Sequence, residues 1–141
     1  MDVAFVALAR RHKVAGAELR DSGTLEQTHG LTANLLAVTN VWRGQLDDAD
    51  LAVAAKGAPE AIAILCRLTK AEQALLNASA EEMAREGLRV LAVASATHRA
   101  GHLPETPHGF DFSLLGLVGL ADPLRASAAD AVKQCQAAGI R

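Results

Sequence analysis

The segment Lys56-Gly57-Ala58-Pro59-Glu60 constrains this chain more than any other, because it joins two runs of different character. Before it, Leu51 to Ala55 is a short apolar run of strand length; after it, Ala61 to Leu68 reads as a helix. Lys56 therefore falls where a strand ends and a helix is about to begin. Gly57 lets the backbone turn without a Cβ penalty, Pro59 suits the first helical turn, and Glu60 complements the positive end of the helix dipole. Read as architecture alone, Lys56 is a solvated strand-end cation before a well-formed helix start. The same junction also puts an ammonium beside helix N–H groups, which an anion prefers, so a phosphate-bearing ligand is the functional alternative.

The 141 residues, half of them hydrophobic, suffice for one compact domain with its own core. A formal charge of −2 provides no broad basic field, which argues against nucleic acid as the main partner. Cys66 and Cys135 lie far apart on two predicted helices without a C-x-x-C neighbour, and they read as reduced core cysteines rather than a disulfide. No run of 18 apolar residues occurs, so nothing in the chain is expected to span a bilayer.

Asp2 is placed to cap a helix from Val3 to about Val14, with Arg10, Arg11 and Lys13 near its C-terminal end. Residues 15–30 are ambiguous. Thr24-Leu25-Glu26-Gln27 matches a capping box, yet flanking glycines and few apolar residues fit a loop or an edge strand equally well. Leu35 to Trp42 alternates loosely, and the acidic link 45–50 leads into the strand ending at Lys56, which suggests an antiparallel pair.

Beyond Leu68, Thr69 with Glu72 and Ser79 with Glu82 both fit the capping box, with a break expected near Asn77 and a helix end at Gly87. Leu88 to Ala96 reads as a strand with Arg89 at its start, pointing opposite to Val90. Arginine in such a place is ordinarily a surface salt-bridge partner. From Thr97 to Gly109 the chain reads as a polar loop; His98, His102 and His108 lie in it without a cysteine or carboxylate at ligand spacing, so a metal is not expected. Phe112 to Leu120 reads as a strand containing Gly116 and Gly119. Asp122 and Pro123 open a last helix whose apolar face carries Leu124, Ala128, Ala131, Val132, Cys135 and Ala138, with Gly139 at its end. Ile140 and Arg141 look like the start of a further strand. Periodicity alone supports a mixed α/β domain.

Four words in order, K-G-A-P-E at 56–60, G-L-R-V-L-A-V-A at 87–94, L-G-L-V-G-L-A-D-P-L-R at 115–125 and A-A-G-I-R at 137–141, resemble the nucleotide-binding (N) domain of P-type cation-transporting ATPases, closest to the type II calcium-pump-like group. The resemblance covers essentially the whole chain and is weakest between Ala15 and Leu31. It implies an α/β fold of α+β type: a mainly antiparallel sheet flanked by helices, with the nucleotide-binding domain over 1–112. Residues 113–141 would be the hinge and the beginning of the returning phosphorylation-domain segment.

The resemblance also implies ATP as ligand, with magnesium arriving as the ATP complex, and it carries over site residues one by one. Lys56 with Gly57, and Arg89, match residues that hold the nucleotide, and the two cations suit a polyphosphate without a Gly-rich loop. Asp2 takes the place of a glutamate that contacts the adenine end, one methylene shorter. Asp122 and Arg125 match the hinge D-P-x-R, with Leu124 where a second proline is usual. L-T-A-N-L-L-A-V at 31–38 aligns with the adenine-pocket segment, so Leu31 stands where the family has an aromatic residue and Leu36 where it has a lysine. Loss of base stacking at such a position costs roughly 1–3 kcal/mol, about five- to 150-fold in affinity. Ordinary core packing is the other reading of both leucines.

Neither a D-K-T-G-T segment with its phosphorylated aspartate nor a T-G-D or G-D-G-x-N-D segment for magnesium occurs, so the chain is expected to position ATP without turning it over alone. On this reading it is a fragment of a larger pump, a cytoplasmic domain of an integral membrane protein, itself soluble and without direct membrane contact. Its partners would be the phosphorylation and actuator domains. The rival is an interaction module that keeps the fold and has lost the nucleotide.

Overall fold

Five consecutive antiparallel strands, with two helices inserted between the third and fourth, form the body of the protein; the computed structural model describes residues 23–44, 50–121 and 127–140. The strands are β1 (Thr24–His29), β2 (Ala37–Arg43), β3 (Asp50–Gly57), β4 (Leu88–Arg99) and β5 (Ser113–Ala121), in that order across one sheet. Helices α1 (Pro59–Leu65) and α2 (Lys70–Arg85) follow β3, and α3 (Ala128–Ala137) follows β5. The expected α+β architecture, an antiparallel sheet flanked by helices, is the observed one.

The period of two along each strand decides which face is covered. Ala37, Thr39 and Val41 of β2, Leu51, Val53 and Ala55 of β3, and Ala92 and Ala94 of β4 are buried on one side. Thr39 pairs with Ala55 and Ala55 with Ala94, so small residues run across the middle of this inner face. The flat strip receives α1, which buries Ala61, Ile62, Ala63 and Leu65. Phe110 and Phe112 close the core edge to face, with centroids 5.9 Å apart.

Local chemistry sets the helix ends. Pro59 opens α1, and Arg67, at φ 52°, closes it: Leu68 N–H donates to Ala63 O (3.0 Å) and Arg67 N–H to Ile64 O (3.0 Å), the Schellman pattern. The helix therefore stops at Leu65, short of the expected Leu68. Thr69 and Glu72 form the expected capping box of α2, in which Glu72 N–H donates to Thr69 Oγ1 (3.3 Å) and Thr69 N–H to Glu72 Oε2 (2.7 Å). The second box does not form. One helix of 16 residues runs through Asn77 and Ser79, because extending an existing helix through Ala-, Leu- and Glu-rich sequence is easier than nucleating another. Gly87, at φ 79°, ends the helical segment as expected.

Four further expectations need correction or sharpening. Thr24 to Gln27 belong to an edge strand, where Arg43 grips Glu26 at 2.6 Å and Thr28 Oγ1 meets Asn40 Oδ1 at 3.0 Å; pairing with β2 outweighs the local capping box. β4 continues to Arg99 instead of yielding to a loop at Thr97, since Thr97, His98 and Arg99 pair with Ala52, Leu51 and Asp50. His98 lies edge-on to Phe110 at 5.3 Å with Nε2 3.3 Å from His102 O, and among the described residues no group of three metal-ligating side chains assembles. Cys66 and Cys135 are both free thiols, but Cys135 is exposed on α3 rather than in the core. From Asp130 onward α3 is exposed, so the apolar face expected there is not buried. The helix 3–14 and the link 45–49 lie outside the described residues.

Candidate functional site

Opposite the helices, the sheet's outer face carries the side chains of the other parity. Lys56 pairs with Val38 on one side and with Val93 on the other, so Val38, Lys56, Val93 and, two and four residues back along β4, Leu91 and Arg89 share that face. Leu36 is the next position of that parity before Val38, and the turn 32–35, closed by Thr32 and Leu35, sets Leu31 beside it. Together with Gly57, Ala58, Pro59, Glu60 and Val90 these residues, Val93 excepted, line a cavity of about 590 Å³. The structure thus brings Leu31, Leu36, Lys56, Gly57 and Arg89 to one place. Asp2, Asp122 and Arg125 lie outside the described residues.

Gly57 has a different role from the one its position suggested. Its backbone is extended within β3, and an added Cβ would lie 2.6 Å from Ala37 Cα and 2.8 Å from Ala37 Cβ, and against Leu36 O. Close approach of β2, not a turn, requires glycine here. The approach is held by Ala58 N–H donating to Leu36 O at 2.9 Å, which fixes Leu36 at the cavity wall.

The electrostatics come from two long side chains. Lys56 is half-buried, and loss of solvent holds its ammonium below the usual lysine range; an anion in the cavity would reverse part of that penalty. Arg89 is exposed at the start of β4. Because Arg89 precedes by four residues the Val93 that faces Lys56, the two backbone positions are roughly 14 Å apart at ordinary strand rise and spacing. Long cationic side chains anchored that far apart reach different parts of one ligand, which suits an extended polyanion better than a single small one. The seven-residue α1 adds little, since Ala61 and Ile62 N–H both turn inward to Ala58 O (3.0 and 3.1 Å).

Glu60 apart, the walls are otherwise apolar. Leu31 and Leu36, 65% and 53% exposed, form a greasy lip where core packing was the alternative. Leu91 and Val38 complete it. These last two escaped the sequence reading, although each lies two positions from a residue already singled out, Arg89 and Leu36, and strand alternation alone puts them on the same face.

Fold and site define a class: an antiparallel α+β domain whose open face offers an apolar wall and two spaced cations. No protein-family profile matches the chain. Individual proteins do. It is 37% identical over 107 residues to the endoplasmic reticulum calcium ATPase srcA of Aspergillus fumigatus, an alignment covering 61% of this chain and 11% of that protein. The sodium/potassium exporting P-type ATPase cta3 of Schizosaccharomyces pombe is 28% identical over 150 residues, covering 99% of this chain and 14% of its own length. The probable cation-transporting ATPase F of Mycobacterium tuberculosis is 37% identical over 109 residues, covering 67% and 12%. The chain is therefore similar to a segment of P-type cation-transporting ATPases, and it spans only 11 to 14% of the length of these relatives. No helix among the described residues is long and apolar enough to cross a membrane.

Proposed function

We propose that this chain is nucleotide-binding domain material from a P-type cation-transporting ATPase of the calcium-pump-like group, holding ATP while an aspartate in another domain receives the γ-phosphoryl group. One observation carries the reading. Lys56 and Arg89, 33 residues apart in sequence, open onto the same cavity as Leu31 and Leu36. Two cations and an apolar wall on one cavity suit a ligand with a polyphosphate and a flat apolar end, and the volume of about 590 Å³ accommodates it. Magnesium would enter as the complex with the phosphates; the cation pair fits such a ligand by charge. The chain's own contribution is positioning, an entropic and electrostatic effect, with the nucleophile supplied by the phosphorylation domain of the parent pump. On this reading the domain lies on the cytoplasmic side of such a membrane pump and works with its phosphorylation and actuator domains.

The exposed Leu31 and Leu36 favour a second reading, an interaction module that keeps the fold without the nucleotide. Amide chemical shifts during ATP titration, with Lys56→Ala as the control, separate the two. Saturable shifts at Leu31, Leu36, Lys56 and Arg89 that weaken in the variant support ATP binding. Flat titrations with an intact fold would leave the interaction module.

A further inference from the structure

We infer that the site holds nucleoside triphosphates with little regard to the base. This rests on the nucleotide reading above and extends it to the ligand class. Distinguishing one base from another requires hydrogen-bonding groups aimed at its edge, because bases differ in donor and acceptor pattern far more than in apolar surface. The wall of this cavity has almost none to offer. Leu31, Leu36, Val38 and Leu91 present only hydrocarbon, and Lys56 and Arg89 are the anion grip.

Much of the main chain is engaged as well. Val38 pairs with Lys56, Gly57 with Ala37 and Ala92, and Leu91 with Val118 within the sheet. Leu36 O accepts from Ala58 N–H, and Pro59 has no N–H. Glu60 is the one remaining polar side chain of the lining. Its carboxylate is an acceptor only and is exposed, so a contact there to an adenine amino group or to the guanine N1–H and amino group competes with water and discriminates weakly. A purine is therefore enclosed by contact and not read. Selection falls on the phosphates, by charge and by the spacing of the two cations.

The test is a set of amide-shift titrations of the chain with ATP, GTP and inorganic tripolyphosphate. The expected result is dissociation constants for ATP and GTP within about fivefold of each other, with both nucleotides shifting Leu36 and Leu91, since an apolar pocket discriminates weakly. A preference for either nucleotide beyond that margin overturns the inference and leaves nucleotide holding intact. Equal binding of tripolyphosphate and both nucleotides, without shifts at Leu36 and Leu91, overturns it too, because the base then never enters the apolar wall. Failure of all three ligands to bind removes the nucleotide reading itself.

Discussion

Gly57→Ala puts a single methyl group where two strands are closest. The new carbon would sit 2.6 and 2.8 Å from Ala37 Cα and Cβ, roughly 1 Å inside ordinary carbon–carbon contact, and the atoms it meets are backbone or directly attached to it. They cannot rotate away, so β2 must shift. Overpacking of this kind costs about 1–3 kcal/mol. An opposing term exists: outside the left-handed region, alanine restricts the unfolded chain and stabilises by about 0.4–1 kcal/mol. The net expectation is a loss of about 1–2 kcal/mol, or about 3–8 °C in Tm at this chain length. Gly30 supplies the control, because its Cβ would meet nothing within 4 Å and its φ lies outside the left-handed region. Gly30→Ala keeps only the unfolded-state term and should raise Tm by about 1–3 °C. Thermal melts of both variants followed by circular dichroism decide it. A Gly57→Ala protein as stable as the parent would refute the claim that the strand spacing demands glycine there.

Leu31→Phe restores a stacking surface at a position 65% exposed, so it should leave stability nearly unchanged and tighten ATP binding by about five- to 150-fold, as read by the same amide titration. Thr69→Ala removes the α2 cap and should cost about 1 kcal/mol in urea unfolding. Hydrogen bonds from the Thr69 hydroxyl and N–H depress the Glu72 carboxyl below its usual range, so its contribution is complete above the ordinary glutamate pKa and disappears as pH falls through the lowered one; acid titration of the Thr69→Ala protein should lose the hydroxyl's share of that component and keep the backbone's. Burial lowers the Lys56 pKa, which means the unfolded chain binds more protons there in the alkaline range and stability gains from this group as pH rises through the window up to the ordinary lysine value. Nucleotide affinity should move oppositely, weakening as Lys56 loses its charge below the usual lysine range, and it should lose that dependence in Lys56→Ala.

Where signals were local and reinforced by tertiary structure, sequence and structure agree. Lys56 to Glu60 reads as a strand end, a proline and an acidic first turn, and these are compatible with the same backbone. Thr69 with Glu72 works for the same reason. Ser79 with Glu82 is the same motif and fails, because a helix was already running through it and a cap forms only where a helix must start. At Thr24 to Gln27, where a capping box, a loop and an edge strand are all open, pairing with β2, a partner distant in sequence, selects the edge strand. His98 is polar in sequence yet sits in a strand against Phe110, where its ring makes a T-shaped aromatic contact and its Nε2 lies 3.3 Å from His102 O. At the site, the spacing of Lys56 and Arg89 was not legible from residue counts. It follows from the β3–β4 register, Lys56 opposite Val93, which the two intervening helices conceal.

The strand order has a kinetic meaning. Among the described residues every strand lies beside the one that follows it in the chain, so none of these five has to be threaded between two others. Three of the four pairings follow short or moderate connections, and only the β3-to-β4 step must close a longer loop, which α1 and α2 shorten by winding most of it into helix. Search entropy stays low for a β-rich chain, and refolding should be quicker than for a sandwich of similar size with interleaved strands. Docking of β4 on β3 is the step that brings both cations and the apolar wall into register, and it does not depend on β5.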